Sequence, residues 1–274
     1  MGFLMVCALS VAVAVAVAAP AVTLDPKSQV TLVVTSCRRP SSLLRLLDSL
    51  FRYNTFEFHG VIVAEASGDP DTNKEIATKY PFLTLVEGPR QQRRSQVDNI
   101  DAAYAQVITK YVLHFEEDWV VHRDGFVPIS IAVLEAAPKV SVVSLHAPGA
   151  SEFQVVDSEI IRGAGFMKRD LLGGWGYFSW GSGLRRMSDY HLVGNYKRYN
   201  ATWKSNARLH EEAAKENVRI LKRYIHFEWR INWLYKGLGF RVALINDSLP
   251  FASHVPQQRE KHVPDIRGVS PFDA

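Results

Sequence analysis

Cysteine is scarce in this chain of 274 residues: Cys7 and Cys37 are its only two. A single pair supports neither a disulfide framework nor a cysteine zinc site. Zinc-finger spacing and basic heptads are missing too. The net charge of +4 is small and scattered, so nothing points to nucleic acid. There is no internal repeat and no long linker. What remains is ordinary globular composition, 47% hydrophobic and 22% charged, long enough to bury a full core. The mild basic excess suits an anionic ligand.

One long apolar run is present, residues 3–22 (FLMVCALSVAVAVAVAAPAV), and it carries no charge. Two readings stay open for residues 1–24. One is a secretory signal peptide with small residues near Ala18 and Ala19. The other is a signal anchor of about 20 residues, just long enough to span a bilayer. Both direct the chain into the secretory pathway, to the Golgi or ER lumen or beyond. The sequons at Asn200 and Asn246 are consistent with that, although such triplets are common by chance.

From residue 29 onward apolar runs and amphipathic stretches alternate. Strands are expected at 29–36, 61–66, 82–86, 111–115, 140–145 and 240–245. Helices are expected at 41–53, with Ser41 and Ser42 as candidate caps, then at 72–79, 91–109, 124–137, 208–224 and 227–237. Residues 147–170 read as loop with short strands, and the tail 256–274 as polar surface chain. Strand–helix alternation implies a doubly wound, mostly parallel α/β sheet, with ligands bound beyond the carboxyl ends of its strands. One domain, 29–255, is expected.

The strand YVLHF ends in Glu116-Glu117-Asp118, followed by Trp119. Three adjacent carboxylates repel unless a cation sits among them. Hard divalent ions take one or two carboxylates together with substrate phosphates. The run therefore suggests a metal-bridged diphosphate site, against the plainer alternative of a solvated acidic turn. His114, inside the strand, reads as structural.

Four segments in order, VTLVVTSCRRPSSLLRLLDSL, VIVAEASGD, YVLHFEEDWVV and FEWRINWLYKGLGFRVALI, resemble the GT-A fold glycosyltransferases, family-2-like members above all. They extend over most of residues 29–245. The resemblance implies transfer of a sugar, of hexosyl or N-acetylhexosaminyl type, from a nucleotide diphosphate sugar to a hydroxyl on a glycan or glycoprotein, with inversion. It implies Mn²⁺ or Mg²⁺ held by Asp118 and Glu116, with His254 as a C-terminal ligand. The first acid of the motif is Glu rather than the usual Asp. Donor contacts are implied at Thr35, Arg38, Arg39, Glu65, Ser67, Arg93 and Glu117. Glu228 matches the base of an acidic pair whose first member is Phe227 here, a departure from the pattern. Asp189 is a second candidate base, while Glu211 and Glu212 lie on a charged, solvated stretch. Trp175, Tyr177 and Trp180, in a segment rich in glycine and aromatics, are expected to form an acceptor shelf against the apolar faces of sugar rings. A non-catalytic sugar or nucleotide binder, or a nucleotide-sugar hydrolase, remains the competing reading. A pyrophosphorylase would want a glycine-rich phosphate loop where Cys37-Arg-Arg-Pro40 stands.

Overall fold

The computed structural model describes residues 29–89, 94–145, 155–162, 164–167, 176–199, 227–245, 247 and 249–255. The apolar N-terminal run, the charged stretch 208–224 and the tail 256–274 lie outside them. No helix among the described residues is long and apolar enough to cross a membrane.

The first half winds as the sequence pattern requires. Strands β1 (Val30–Ser36), β2 (Gly60–Glu65), β3 (Thr84–Glu87) and β4 (Tyr111–Glu116) run parallel in the order β3-β2-β1-β4. Helices α1 (Pro40–Tyr53), α2 (Pro70–Lys79) and α3 (Gln96–Tyr104) connect them. Beyond β4 the sheet continues through β9 (Gly183–Arg186), β6 (Val140–Ser144), β10 (Arg241–Ile245), β8 (Ala164–Met167) and β7 (Val155–Ile161). Only β9 and β8 oppose the other seven strands of this sheet, so it is mostly parallel. A separate ladder joins β5 (Trp119–Val121) to β11 (Ala252–His254).

Helix starts differ from expectation for local reasons. The first helix begins at Pro40 rather than at the serines, because proline at N1 loses no needed N–H and presets φ. Asp69 caps α2 by accepting from the Thr72 N–H, and Pro70 again takes N1. Ser95 caps α3 through the Asp98 N–H, which starts that helix later than residue 91. It ends at Tyr104, short of 109.

Strand alternation sorts the core into two layers. Tyr111, Leu113 and Phe115 of β4 join Leu43, Leu46, Leu47 and Leu50 of α1 and the apolar side of α4 (Phe126–Ala136) on one face. Val112 joins Val97, Ile100 and Tyr104 of α3 on the other face. There they meet α5 (Met187–Val193) and α6 (Phe227–Gly237). By the same period of two, His114 and Glu116 point to the α3 and α6 side. Each fully buried leucine of α1 contributes about 1.5–3 kcal/mol.

β9 can wedge between β4 and β6 because residue 183 is glycine: a Cβ there would lie 2.7 Å from the Val143 carbonyl oxygen and 2.8 Å from Val142 Cγ1. Gly183→Ala is expected to lower the unfolding free energy by about 1–3 kcal/mol through overpacking, read as a reduced midpoint in urea at unchanged slope.

Candidate active site

The carboxyl ends of β1, β2 and β4 open into a cavity of about 250 Å³ lined by Thr35, Ser36, Cys37, Arg39, Ala66, Arg94, Gln96, Asn99 and the Glu116–Asp118 run. The lining brings two arginines, Arg39 and Arg94, together with three acids.

The loop after β1 is built by Glu65. This side chain is fully buried, and its Oε1 accepts the Arg38 N–H at 2.8 Å. Its Oε2 accepts both the Ser67 N–H (2.8 Å) and the Ser67 hydroxyl (2.5 Å). Arg38 has φ 57, a conformation non-glycine residues avoid, and the Glu65 bond helps to hold it there. Glu65 and Ser67 thus organise the loop with their polar atoms turned inward, and neither lines the cavity. The Arg38 side chain is exposed and not part of the cavity wall. Asn99, whose Nδ2 donates to the Ala64 carbonyl at 2.8 Å, ties α3 to the same edge.

In the acidic run, Arg39 Nη1 lies 2.9 Å from Glu117 Oε1 and 3.7 Å from Asp118 Oδ2. Asp118 Oδ2 also lies 3.2 Å from His254 Nε2. That approach follows from register: His254 pairs with Trp119 in the β5–β11 ladder, and the Val255 N–H donates to the Asp118 carbonyl at 2.8 Å. Asp118 Oδ1 is buried with no hydrogen-bond partner. Glu116 accepts from Gln96 Nε2 at 2.5 Å.

Burial, followed by repulsion from Glu228, Asp118 and Glu117, pushes the Glu116 carboxyl up to about 8. Burial pushes Glu117 up to about 7 against the pull of Arg39. Glu228, in the first turn of α6, is raised by burial to about 7, opposed by the Trp180 N–H (3.0 Å to Oε1) and by the Arg185 charge. Glu228 is the second-largest influence on Glu116, so the two carboxylates share one side of the sheet, as the β4 alternation requires.

A buried hydrogen-bond chain lies beneath. Arg185 Nη1 donates to the Tyr104 hydroxyl at 2.9 Å, and that hydroxyl lies 2.8 Å from His114 Nδ1. Guanidinium cannot accept, so the phenol gives its proton to Nδ1. The ring is then protonated on Nε2, which donates to Thr35 Oγ1 at 3.2 Å. Burial and the Arg185 charge hold the His114 pKa well below the usual imidazole range, so the ring is neutral. His114 is structural, as expected, and Thr35 reaches the cavity wall.

The aromatic segment departs from expectation. Trp180 (1% exposed) and Tyr177 (7%) are core side chains. The Trp180 ring packs on Phe178, Tyr196 and Phe227, because the α3–α6 face has a large volume to fill. These two rings offer no exposed shelf; the segment acts through its backbone, holding Glu228. Trp175 and Arg93 lie outside the described residues. Asp189 pairs with Arg186 at 3.0 Å. Arg186 is opposite Tyr111, at the amino edge of β4, so Asp189 is remote from the acidic run. Gln96, Asn232 and Arg185 carried no signal in sequence. Asn232 Oδ1 accepts the N–H groups of Tyr177 and Phe178, and nothing in the local pattern announced it.

Among the described residues no group of three acids, histidines or cysteines forms a ready-made cation cage. Glu116 does not close such a set with Asp118 and His254. The residues nonetheless fit a divalent ion of the kind that takes few protein ligands and completes its shell with phosphate and water. The partnerless Asp118 Oδ1 and the adjoining His254 Nε2 could supply those few donors.

No protein-family model matches the chain, and neither does any curated protein sequence. Solved structures match by fold. GalNAc-T7 with UDP, GalNAc and Mn²⁺ is 8% identical, with TM-score 0.58, over 89% of this chain and 46% of that one. S. aureus TarS 1–349 with UDP-GlcNAc is 14% identical, with TM-score 0.52, over 85% and 60%. The same protein with UDP is 13% identical, with TM-score 0.50, over 82% and 59%. The chain thus spans about half the length of the structures it matches. At such identities the likeness is one of fold: this is the GT-A fold, as the sequence resemblance implied.

Glu65→Ala leaves three donors, the two of Ser67 buried and that of Arg38 partly so, without their acceptor. It is expected to cost roughly 2–4 kcal/mol, measured by denaturant unfolding, with Glu65→Gln costing less.

Proposed function

We propose that the protein is a divalent-metal-dependent glycosyltransferase that moves a sugar from a nucleotide diphosphate sugar to a hydroxyl of a glycan or glycoprotein, with inversion. The observation that carries this reading is that Asp118, with Oδ1 buried and unpartnered and His254 beside Oδ2, adjoins Glu116, the carboxyl that Glu228 also acts on. The GT-A fold and the nucleotide sugars and Mn²⁺ in the names of its structural neighbours support it.

Asp118 and His254 would hold Mn²⁺ or Mg²⁺, which when bound neutralises charge on the departing diphosphate. Arg39 and Arg94, both in the cavity lining, would meet phosphate oxygens. Thr35 contributes a wall hydroxyl, and Glu65 keeps the loop in shape. Glu228 takes the proton of the acceptor hydroxyl as its oxygen bonds to the anomeric carbon and the bond to the nucleoside diphosphate breaks. A carboxylate raised to about 7 suits that task near neutral pH. Attack opposite the leaving group inverts the anomeric centre. The apolar run 3–22 and the two sequons support a secretory-pathway location for a catalytic domain at 29–255.

Thermal melting of the protein with UDP or GDP is expected to rise only when Mn²⁺ is present, because a ligand of the folded state shifts its stability by mass action. Asp118→Asn should abolish that increment. No increment from any nucleotide, with or without metal, would overturn the donor site.

Glu228→Gln should reduce kcat by about 10²–10⁴-fold while nucleotide affinity is kept; a binding protein would lose nothing. In the wild type, kcat/KM should fall as pH drops below about 7, since the base must be ionised and burial holds it up. A limb near the ordinary carboxylate value of about 4.3 would remove Glu228 from the role.

A further inference from the structure

Arg185 is 3% exposed, yet no carboxylate lies within ion-pair distance of it among the described residues. A guanidinium buried without a counter-ion is costly, so what it touches is informative. Its Nη2 donates to the carbonyl oxygens of Ser179 (2.9 Å) and Gly181 (3.1 Å), the residues on either side of Trp180. Its Nη1 is fixed by the Tyr104 hydroxyl at 2.9 Å, and the Phe178 ring lies 5.4 Å from its Cζ. Gripped on both flanks, the turn aims the Trp180 N–H at Glu228 Oε1, 3.0 Å away.

We propose that Arg185 is a positioning residue: by clamping the Ser179 and Gly181 carbonyls it fixes the Trp180 N–H that in turn fixes the Glu228 carboxylate. This rests on the reading of Glu228 as the base. The planar fork of arginine reaches two carbonyls and a phenol at once; lysine, a point donor on a flexible stem, does not. Among the described residues, the strands beside Glu228 bring it the charges of Glu116 on β4 and Arg185 on β9. Arg230, on the helix of Glu228 itself, donates to the Tyr199 carbonyl at 2.7 Å.

The experiment compares full-length wild type, Arg185→Lys and Arg185→Gln. It measures nucleotide release from UDP-GlcNAc, UDP-GalNAc and GDP-mannose with glycan acceptors, UDP and GDP affinity in Mn²⁺, and hydrogen exchange at the Trp180 amide. Displacing a reacting group by about 1 Å costs about 10²-fold in rate. Arg185→Gln is therefore expected to lower kcat by about that factor, with nucleotide affinity kept and Trp180 exchange accelerated by roughly tenfold. Arg185→Lys should fall between. Unchanged kcat or unchanged Trp180 exchange overturns the proposal. So does a parallel loss of kcat, nucleotide affinity and melting temperature, which marks a merely structural residue. If Arg185→Gln does not fold, Arg185→Lys gives the same discrimination. A wild type that binds Mn²⁺-nucleotide but releases none from any sugar defeats the function itself, and the clamp's catalytic meaning with it; Trp180 exchange then reports the clamp alone.

Discussion

Four carboxylates held at one sheet edge, three of them pushed to about 7 or 8, set the terms for the rest of this molecule. Burial is the first cause of all three shifts, and at Glu116 the like charges of Glu228, Asp118 and Glu117 add to it. The surroundings answer with individually placed donors. Arg39 reaches Glu117, Gln96 reaches Glu116, and the Trp180 N–H reaches Glu228. Asp118 meets Arg39 and His254 through Oδ2 but keeps a buried oxygen, Oδ1, without a hydrogen-bond partner.

The sheet divides the work. Its parallel first half brings three strand ends to one edge and builds the cavity from their loops. The second half, through the antiparallel β9, carries the buried arginine under the aromatic turn, whose Trp180 N–H meets Glu228 in the first turn of α6. The chain from Thr35 through His114 and Tyr104 to Arg185 joins these halves beneath the site. It is wholly buried, so each hydrogen bond in it is worth more than its counterpart in water, and an unmade one costs more.

Much of the first half was legible because short-range rules decide it. Apolar runs became strands, the leucines of α1 became one face, and the Glu-Glu-Asp run fell at a strand end. Helix starts were misplaced by a few residues where a proline or a capping serine outweighed periodicity. The site was less legible where identity says nothing about direction. Glu65 and Ser67 have the right chemistry for a ligand, but their polar atoms are spent on backbone and on each other. Tyr177 and Trp180 have the right faces for sugars, but the α3–α6 layer needed their volume. Arg185 looked like one cation among many because its importance comes from partners on two separate segments, Tyr104 of α3 and the turn 178–181. No local pattern encodes such a meeting.

The β5–β11 ladder has a consequence for how the molecule is made. His254 reaches Asp118 only because the last described strand returns to pair beside the acidic run. That contact joins residues far apart in the chain, and such closures come late because loop entropy must be met before they reward it. During synthesis the parallel core can assemble while this strand has yet to emerge. The acidic edge is therefore expected to acquire its histidine late in folding, and a chain stopped short of it would lack the residue that stands beside Asp118.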